Sequence, residues 1–203
     1  MKQNQLTISF VGVFKTPQTM IPQLSSDLCQ NIFGDSVNTI SGYTPDGFII
    51  KHKLLPAPAI FITPLKIVVI AINKAELFKY IATIKQVLPK YEFSAYGLNA
   101  DFEWLNLGCF ADNWMCEKFL KEDFNSHKCN KLGLVHTINT NEYLNINFEQ
   151  RNGIKDGLFA SLNHHYGYNR VGFPDEKELI DLFLYSEKIQ QHELSILLEE
   201  NNE

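Results

Sequence analysis

The clearest structural pattern in this chain begins with two apolar segments, Pro58-Ala-Ile-Phe-Ile-Thr63 and Lys66-Ile-Val-Val-Ile-Ala-Ile-Asn73, which are separated only by Pro64-Leu65. Short runs of β-branched and aromatic residues bounded by proline are typical of buried strands. Asn73 is placed to cap a helix that opens at Lys74, and Glu76 stands where a capping box has its carboxylate. The stretch therefore predicts two strands that lead directly into a capped helix.

The predicted helix has one apolar side and ends at Pro89. Its apolar residues recur at helical spacing: Leu77, Phe78, Ile81, Ile84 and Leu88. Burying such a stripe against a sheet contributes roughly 1.5–3 kcal/mol for each large side chain before entropy is subtracted. We expect residues 58–88 to form the central packing layer of the protein.

The rest of the chain supplies further strands and helices around this layer. Alternating or β-branched segments predict strands at 7–14, 36–40, 47–54 and 91–98, with 100–110 either extending the sheet or forming a crossover. Helices are expected at 21–32, as a short element capped by Asp112, and from Pro174-Asp175 to near Leu198, while 123–130 is expected to be a loop. Turn-prone residues separate strands at 132–139, 142–150 and 157–168 into a meander.

This order of elements predicts an α+β fold with a mostly antiparallel sheet. The sequence runs strand–helix–strands, helix, then a three-strand meander, with helices packed on the sheet and a long C-terminal helix at 175–200. No low-complexity linker interrupts the chain, so residues 1–203 are expected to form a single α+β domain. The two halves share a coarse order of elements, but no residue pattern supports a duplication.

The charge balance argues against nucleic acid as a partner. The formal net charge is −5, and the 18 basic residues are scattered. Only Arg151 and Arg170 are arginines, the residue best suited to bidentate recognition of phosphate. We therefore expect no nucleic-acid partner.

Other features bear on the compartment. No apolar run approaches the ~20 residues that a membrane-spanning helix needs, and the N-terminal residues lack the apolar segment of a signal peptide. The four cysteines fall at irregular spacings in a chain long enough to fold without disulfides. These observations predict a cytoplasmic protein with reduced thiols and no membrane association.

Candidate ligand-binding residues lie around Asn163-His164-His165. Side chains alternate between the two faces of a strand, so His165 is expected beside Ser161 and Asn163, and His164 on the apolar face. Together with the neighbouring strand and the residues that follow, the candidate set is Asn145, Asn147, Asn163, His165, Tyr168 and Arg170. Such a polar face is suited to hydrogen-bonding a sugar, nucleoside or peptide, although a solvated outer face is the more common reason for it.

Metal and catalytic motifs are weaker still. Cys109, Cys116, His127 and Cys129 have the ligand types that zinc uses, but no closely spaced cysteine pair forms a chelating knuckle. No serine lies in a G-x-S-x-G elbow, and no glycine-rich loop is built to bind phosphate. We predict no metal and no cofactor, and assign no catalytic residue.

The C-terminal helix is the candidate surface for a partner. Leu182, Ile189 and Ile196 are seven residues apart, and His192 lies near the same seam. Two heptads are too few to indicate a coiled coil, so docking on a protein partner or a second copy competes with packing on the protein's own sheet.

The sequence therefore favours a non-enzymatic cytoplasmic protein that acts by protein–protein interaction, through the last helix or the polar sheet face. The alternative is a small-ligand-binding protein or enzyme that uses the polar face around His165.

Overall fold

A computed structural model describes residues 2–18, 38–53, 59–87, 91–120 and 129–198. Nine strands form one antiparallel sheet: β1 Lys2–Phe14, β2 Thr39–Thr44, β3 Gly47–His52, β4 Ile60–Ile62, β5 Lys66–Ala71, β6 Glu92–Leu105, β7 Lys131–Asn139, β8 Glu142–Gln150 and β9 Leu158–Val171. The described helices are α1 Lys74–Val87, α2 Ala111–Phe119 and α3 Glu176–Leu198. This is an α+β fold, as the sequence predicts.

The strand order is β2-β3-β4-β5-β1-β6-β9-β8-β7, with β1 and β6 paired at the centre. The first half of the chain begins with β1 and the second half begins with β6. The last strand of each half returns to lie beside its first strand, β5 beside β1 and β9 beside β6. A helix then follows, α1 after β5 and α3 after β9. The two halves thus share their connectivity, although the sequence shows no repeated residue pattern.

Residues 59–87 pack as the sequence predicts. Asn73 Oδ1 accepts a hydrogen bond of 3.0 Å from the Glu76 backbone N–H, which caps α1. Ile67 and Val69 on β5 and Ile81 on α1 are buried, and the partly buried Phe78 packs edge-on against Phe183 of α3, with ring centroids 5.5 Å apart. The apolar side chains of this stretch therefore lie mainly in the core.

The three helices within the described ranges pack on one face of the sheet, which we call the core face. Buried residues of α1 and α3 join those of the strands in one hydrophobic cluster, and Phe119 of α2 stacks on Phe148 of β8. At the centre, the Phe10 ring lies 5.3 Å from that of Tyr96 and 6.0 Å from that of Phe173. The opposite face, which we call the open face, carries none of the described helices.

The first hairpin differs from the prediction. The expected strands 36–40 and 47–54 leave residues 41–46 as their connection, but the observed turn is only two residues long, because Ser41 to Thr44 pair with β3 and leave Pro45-Asp46 between the strands. Pairing with β3 satisfies the backbone of this segment despite its glycine and polar residues.

In the middle of the chain, the structure selects one of two open alternatives and corrects one prediction: residues after 100 extend the sheet as far as Leu105, and the cap of α2 differs. Residues 92–105 form one uninterrupted strand, since β6 pairs along most of its length with both β1 and β9. Asp112 does not cap α2, which begins at Ala111. The Ala111 N–H donates instead to the Lys155 backbone carbonyl, 2.9 Å away, and the Asp112 side chain accepts from the Asn113 N–H.

The C-terminal helix starts as expected. Asp175 Oδ1 accepts a 2.8 Å hydrogen bond from the Glu178 backbone N–H. The helix expected at 21–32, most of the strand expected at 36–40 and most of the loop expected at 123–130 lie outside the described residues.

Candidate functional site

The open face gathers polar side chains from strands that are distant in sequence. Cross-strand pairing places Asn145 of β8, Asn163 of β9, Asn99 of β6 and Ser9 of β1 side by side in one row. Because residues directly opposite each other on adjacent strands lie close together, the three amides form a continuous ladder. The sequence predicts the first two of these; Asn99 comes from the other half of the chain.

A second row of the open face includes a carboxylate. Asn147, Ser161, Asp101 and Thr7 stand opposite one another, and the Thr7 hydroxyl donates to Asp101 Oδ2 at 2.6 Å. Nearby, Arg151 Nε donates to Glu103 Oε2 at 3.0 Å. This end of the open face therefore combines acidic groups with amides.

Two amide oxygens at the centre of the open face lack hydrogen-bond partners. Asn99 Oδ1 and Asn163 Oδ1 are buried, and within the described residues neither accepts a hydrogen bond. Both point toward Gly97: a Cβ added there would lie 3.3 Å from Asn163 Oδ1 and 3.5 Å from Asn99 Oδ1. A buried unsatisfied acceptor costs about 1–3 kcal/mol. Glycine thus leaves a small space on which two unpaired oxygens converge.

An aromatic pair borders this space. His165, opposite Gly97 in the pairing of β6 and β9, stacks on Tyr143 with ring centroids 4.5 Å apart and planes inclined by 19°. Burial lowers the pKa of His165 below its usual value, which favours the neutral ring at neutral pH. The pair offers a flat, uncharged surface beside the Asn ladder.

The other half of the open face is apolar. Its side chains come from β1, β3, β4 and β5 and are partly buried: Val11, Val13, Ile49, Phe61, Val68 and Ile70. The open face of an antiparallel sheet is ordinarily polar, so a contiguous aliphatic and aromatic surface there is unusual and is typical of an interaction site. We call these six residues the apolar half, and the residues of β6, β8 and β9 described above the polar half.

The structure brings together some of the sequence-predicted ligand residues. Asn145, Asn147, Asn163 and His165 share the open face, as alternation predicts. Tyr168 and Arg170 lie further along β9, where only the backbone is described, with Arg170 paired with Phe93 of β6.

His164 points to the core face and is 0% exposed. Its Nε2–H donates to Glu142 Oε1 at 2.9 Å, and Tyr166 Oη donates to its Nδ1 at 2.8 Å. Ser186 Oγ of α3 lies 3.0 Å from the same Nδ1 and also hydrogen-bonds the Tyr166 hydroxyl. Burial lowers the pKa of His164, partly offset by Glu142, and raises the pKa of Tyr166. A neutral histidine and a protonated tyrosine fit this network, in which the hydroxyls of Tyr166 and Ser186 supply two protons for the three contacts among Nδ1, Tyr166 Oη and Ser186 Oγ.

The network resembles a serine–histidine–carboxylate set in composition only. Ser186 is 2% exposed, and the cavity that it lines holds about 20 Å³, room for one water molecule. A nucleophile needs space for a substrate carbonyl beside it. The geometry instead favours a structural role, in which His164 ties α3 to β8 and β9.

Glu142, Ser186 and Gln190 are not among the residues predicted from the sequence, although α3 contains a signal for two of them. The buried stripe of α3 is Leu179, Phe183, Ser186, Gln190 and Leu194. Polar residues at two consecutive positions of a buried stripe indicate hydrogen-bonded partners on the facing element. Gln190 meets this expectation, since its Nε2 donates to the Leu98 carbonyl at 3.0 Å.

We expect stability to fall as the pH is lowered from 7 toward 5. Burial lowers the pKa of both His164 and His165 in the folded protein, so the unfolded chain binds protons more readily. The stabilising contribution is complete above the ordinary histidine pKa of 6.5 and is lost as the pH falls below it. Urea titrations at several pH values measure the slope of the free energy of unfolding against pH.

The control for this prediction is a variant that is destabilised but keeps both histidines. Leu162→Ala removes a buried side chain two residues from His164 and should retain the wild-type slope. His164→Gln should make the free energy of unfolding less dependent on pH. Equal slopes in all three proteins would contradict the assignment.

The predicted partner residues of α3 occupy different environments. Leu182 and Ile189 are partly buried and pack against the core, whereas His192 and Ile196 are exposed. The helix therefore packs on its own sheet along most of its length. Of the four predicted partner residues, the two exposed ones are those nearest the C-terminal end of α3.

The cysteines do not assemble into a described metal site. Cys129 interacts with the buried Cys116 and with the Lys131 carbonyl, whereas Cys109 lies near Asp112 and Glu117. His127 lies outside the described residues. Among the residues that the structure describes, no group of three or more His, Cys, Asp or Glu side chains is placed to hold a metal ion. Burial raises the pKa of Cys109 and Cys129, which disfavours their thiolates.

A groove of about 640 Å³ lies on the helical side, between α1 and the start of α3. Phe78, Ala82 and Leu179 form apolar walls, and Lys79 and Glu176 supply charges of both signs. Because the charges are mixed, they do not select one class of ligand.

None of the helices in the described ranges is long and apolar enough to span a membrane. The chain matches no protein-family model, no curated protein and no solved structure.

Proposed function

We propose that this protein is a non-enzymatic binding protein that engages a protein partner across the open face of its sheet. The observation that supports this proposal is the division of the open face into an apolar half and a polar half, which meet at the central strands β1 and β6. Partly exposed aliphatic residues on a sheet face are a recurring feature of interaction sites. A flat face offers area, which suits a macromolecule better than a small molecule that needs a concave pocket.

The chemistry of the polar half indicates what the partner must present. The polar half carries hydrogen-bond acceptors: the carboxylate of Asp101 and, once their side chains turn outward, the unpaired oxygens of Asn99 and Asn163. The nearby Arg151 is already engaged by Glu103. We infer a partner segment with N–H donors over the polar half and apolar side chains over the apolar half.

Site-specific photo-crosslinking in the source cells tests the proposal. p-Benzoylphenylalanine would replace Val68 in the apolar half or Ser161 in the polar half, with the exposed Leu184 of α3, in the helical layer on the other face of the sheet, as the control position. Illumination should give the same protein adduct from positions 68 and 161 and none from position 184. Absence of a shared adduct, or an equal yield from position 184, contradicts the proposal.

A small polar ligand is the second candidate, favoured by the two oxygens that converge over Gly97 beside the Tyr143–His165 stack. The last torsion of an Asn side chain is soft, so either amide can turn toward a ligand. Native mass spectrometry of protein from the source cells separates the candidates. A bound small molecule lost in Asn163→Ala supports this function, and its absence favours the protein partner.

A further inference from the structure

Strand β7 forms one edge of the sheet and pairs with β8 on its inner side. Its pairing is regular from Lys131 to Thr137, and the one irregularity falls between Thr137 and Asn139, next to the hairpin. Within the described ranges, no strand pairs with the outer side of β7. Along these seven residues, the backbone N–H and C=O groups that point away from β8 therefore form an edge available for pairing.

The edge also lacks the usual protection against pairing. Monomeric sheet proteins interrupt long edges with proline, central lysines or bulges. Here Lys131 at the start is the only lysine or arginine, no proline occurs, and the central Val135 is 67% exposed. The opposite edge, β2, is shorter at six residues. Of the two edges, β7 is thus the better template for an added strand.

The exposed surface continues into the helical layer. His136 of β7 contacts Glu193 of α3, with Nδ1 2.8 Å from Oε2, so the distal part of α3 lies beside this edge. Ile196 follows one turn later and is 53% exposed. Strand and helix thus present apolar residues at the same end of the molecule.

We propose that β7 pairs with β7 of a second copy of this chain, antiparallel about a two-fold axis near Val135. In this register each Leu134 faces His136 of the other copy, and each Lys131 faces the region of Asn139. No like charges meet, and the strand is therefore complementary to itself. The axis is perpendicular to the sheet, so the helices of both copies lie on the same side and the ends of α3 approach one another.

A second copy fits this edge better than a foreign strand because the same axis joins both layers. Val135 meets Val135 of the second copy in the sheet, while Ile196 faces the other α3 in the helical layer. A single added peptide strand would leave Ile196 exposed. The proposal is independent of the binding function of the open face, since its readout is the mass of the purified protein.

Sedimentation equilibrium of the purified full-length chain over a wide concentration range tests the proposal. The wild type should reach twice the 23.3 kDa chain mass. Val135→Lys places two ammonium groups on the axis and should raise the dissociation constant at least tenfold. Leu65→Lys, at an exposed position in the β4–β5 turn, is the matched control and should dimerise like the wild type.

Hydrogen exchange locates the interface independently of mass. Amides of β7 should be protected in the wild type and exchange faster in Val135→Lys, with those of β2 unchanged. Should that variant fail to fold, Ile196→Lys replaces it, with the same expected loss of dimer. A wild type that stays monomeric, a dimer that survives the folded variant, or a dimer with unprotected β7 amides overturns the proposal.

Discussion

Replacing His164 by alanine is expected to lower the free energy of unfolding by about 3–5 kcal/mol. The imidazole is fully buried and bonded to Glu142 of β8, Tyr166 of β9 and Ser186 of α3. Its removal leaves a cavity and takes one hydrogen bond from each of Glu142, Tyr166 and Ser186, although Asn139 still donates to Glu142 and Ser186 still contacts Tyr166. A cavity combined with several lost buried hydrogen bonds is among the costlier defects in a folded protein. Urea denaturation measures the loss.

The neighbouring residue is the matched control. His165 lies on the open face, where its contact is the ring of Tyr143. His165→Ala should therefore cost about 1 kcal/mol or less, because it removes one stacking contact and no buried hydrogen bond. Similar losses in the two variants would contradict the opposite placement of these adjacent histidines. The expected effects on binding are in the reverse order: His165→Ala should lower the affinity for a ligand or partner of the open face more than His164→Ala does.

Replacing Gly47 by alanine is expected to destabilise the protein by about 3 kcal/mol or more. A Cβ at this position would lie 2.1 Å from the backbone oxygen of Ile62 and 3.0 Å from its backbone carbon. Backbone atoms cannot rotate away as a side chain does. The alanine must therefore displace β4 from β3, where Phe48 pairs with Ile62.

Gly42 in the same hairpin provides the control. A Cβ added there meets no atom of the described residues within 4 Å. Gly42→Ala is expected to change stability by about 0.5 kcal/mol or less, since alanine also restricts the unfolded chain. Thermal unfolding followed by circular dichroism compares the two variants. A mild effect of Gly47→Ala would show that the edge strands yield to the added methyl group.

Some predictions succeeded because their causes are local. The Asn73 cap, the stripe of α1 and the start of α3 after Asp175 depend on residues within three or four positions of each other. Alternation within β9 likewise separates His164 from His165 without knowledge of the neighbouring strands. Short-range geometry is the part of a structure that a sequence pattern expresses directly.

Predictions failed where another segment of the chain decides the outcome. Ser41 to Thr44 form a strand because the neighbouring β3 is available to pair with them. Asp112 loses its predicted capping role because the distant Lys155 carbonyl anchors the start of α2. In both cases a backbone partner in another segment provides the hydrogen bonds, one nearby in sequence and one far away.

Periodicity and capping act between near neighbours, and they are sufficient to predict the α+β class, the packing of residues 59–87 and the separation of the two histidines. The assembled sheet is required to show that Asn99 joins Asn145 and Asn163, that Ser186 meets His164, and that β7 lies at an edge. Strand order and register set these contacts. They follow from how all nine strands bury one common face, a property of the whole chain and of no single segment.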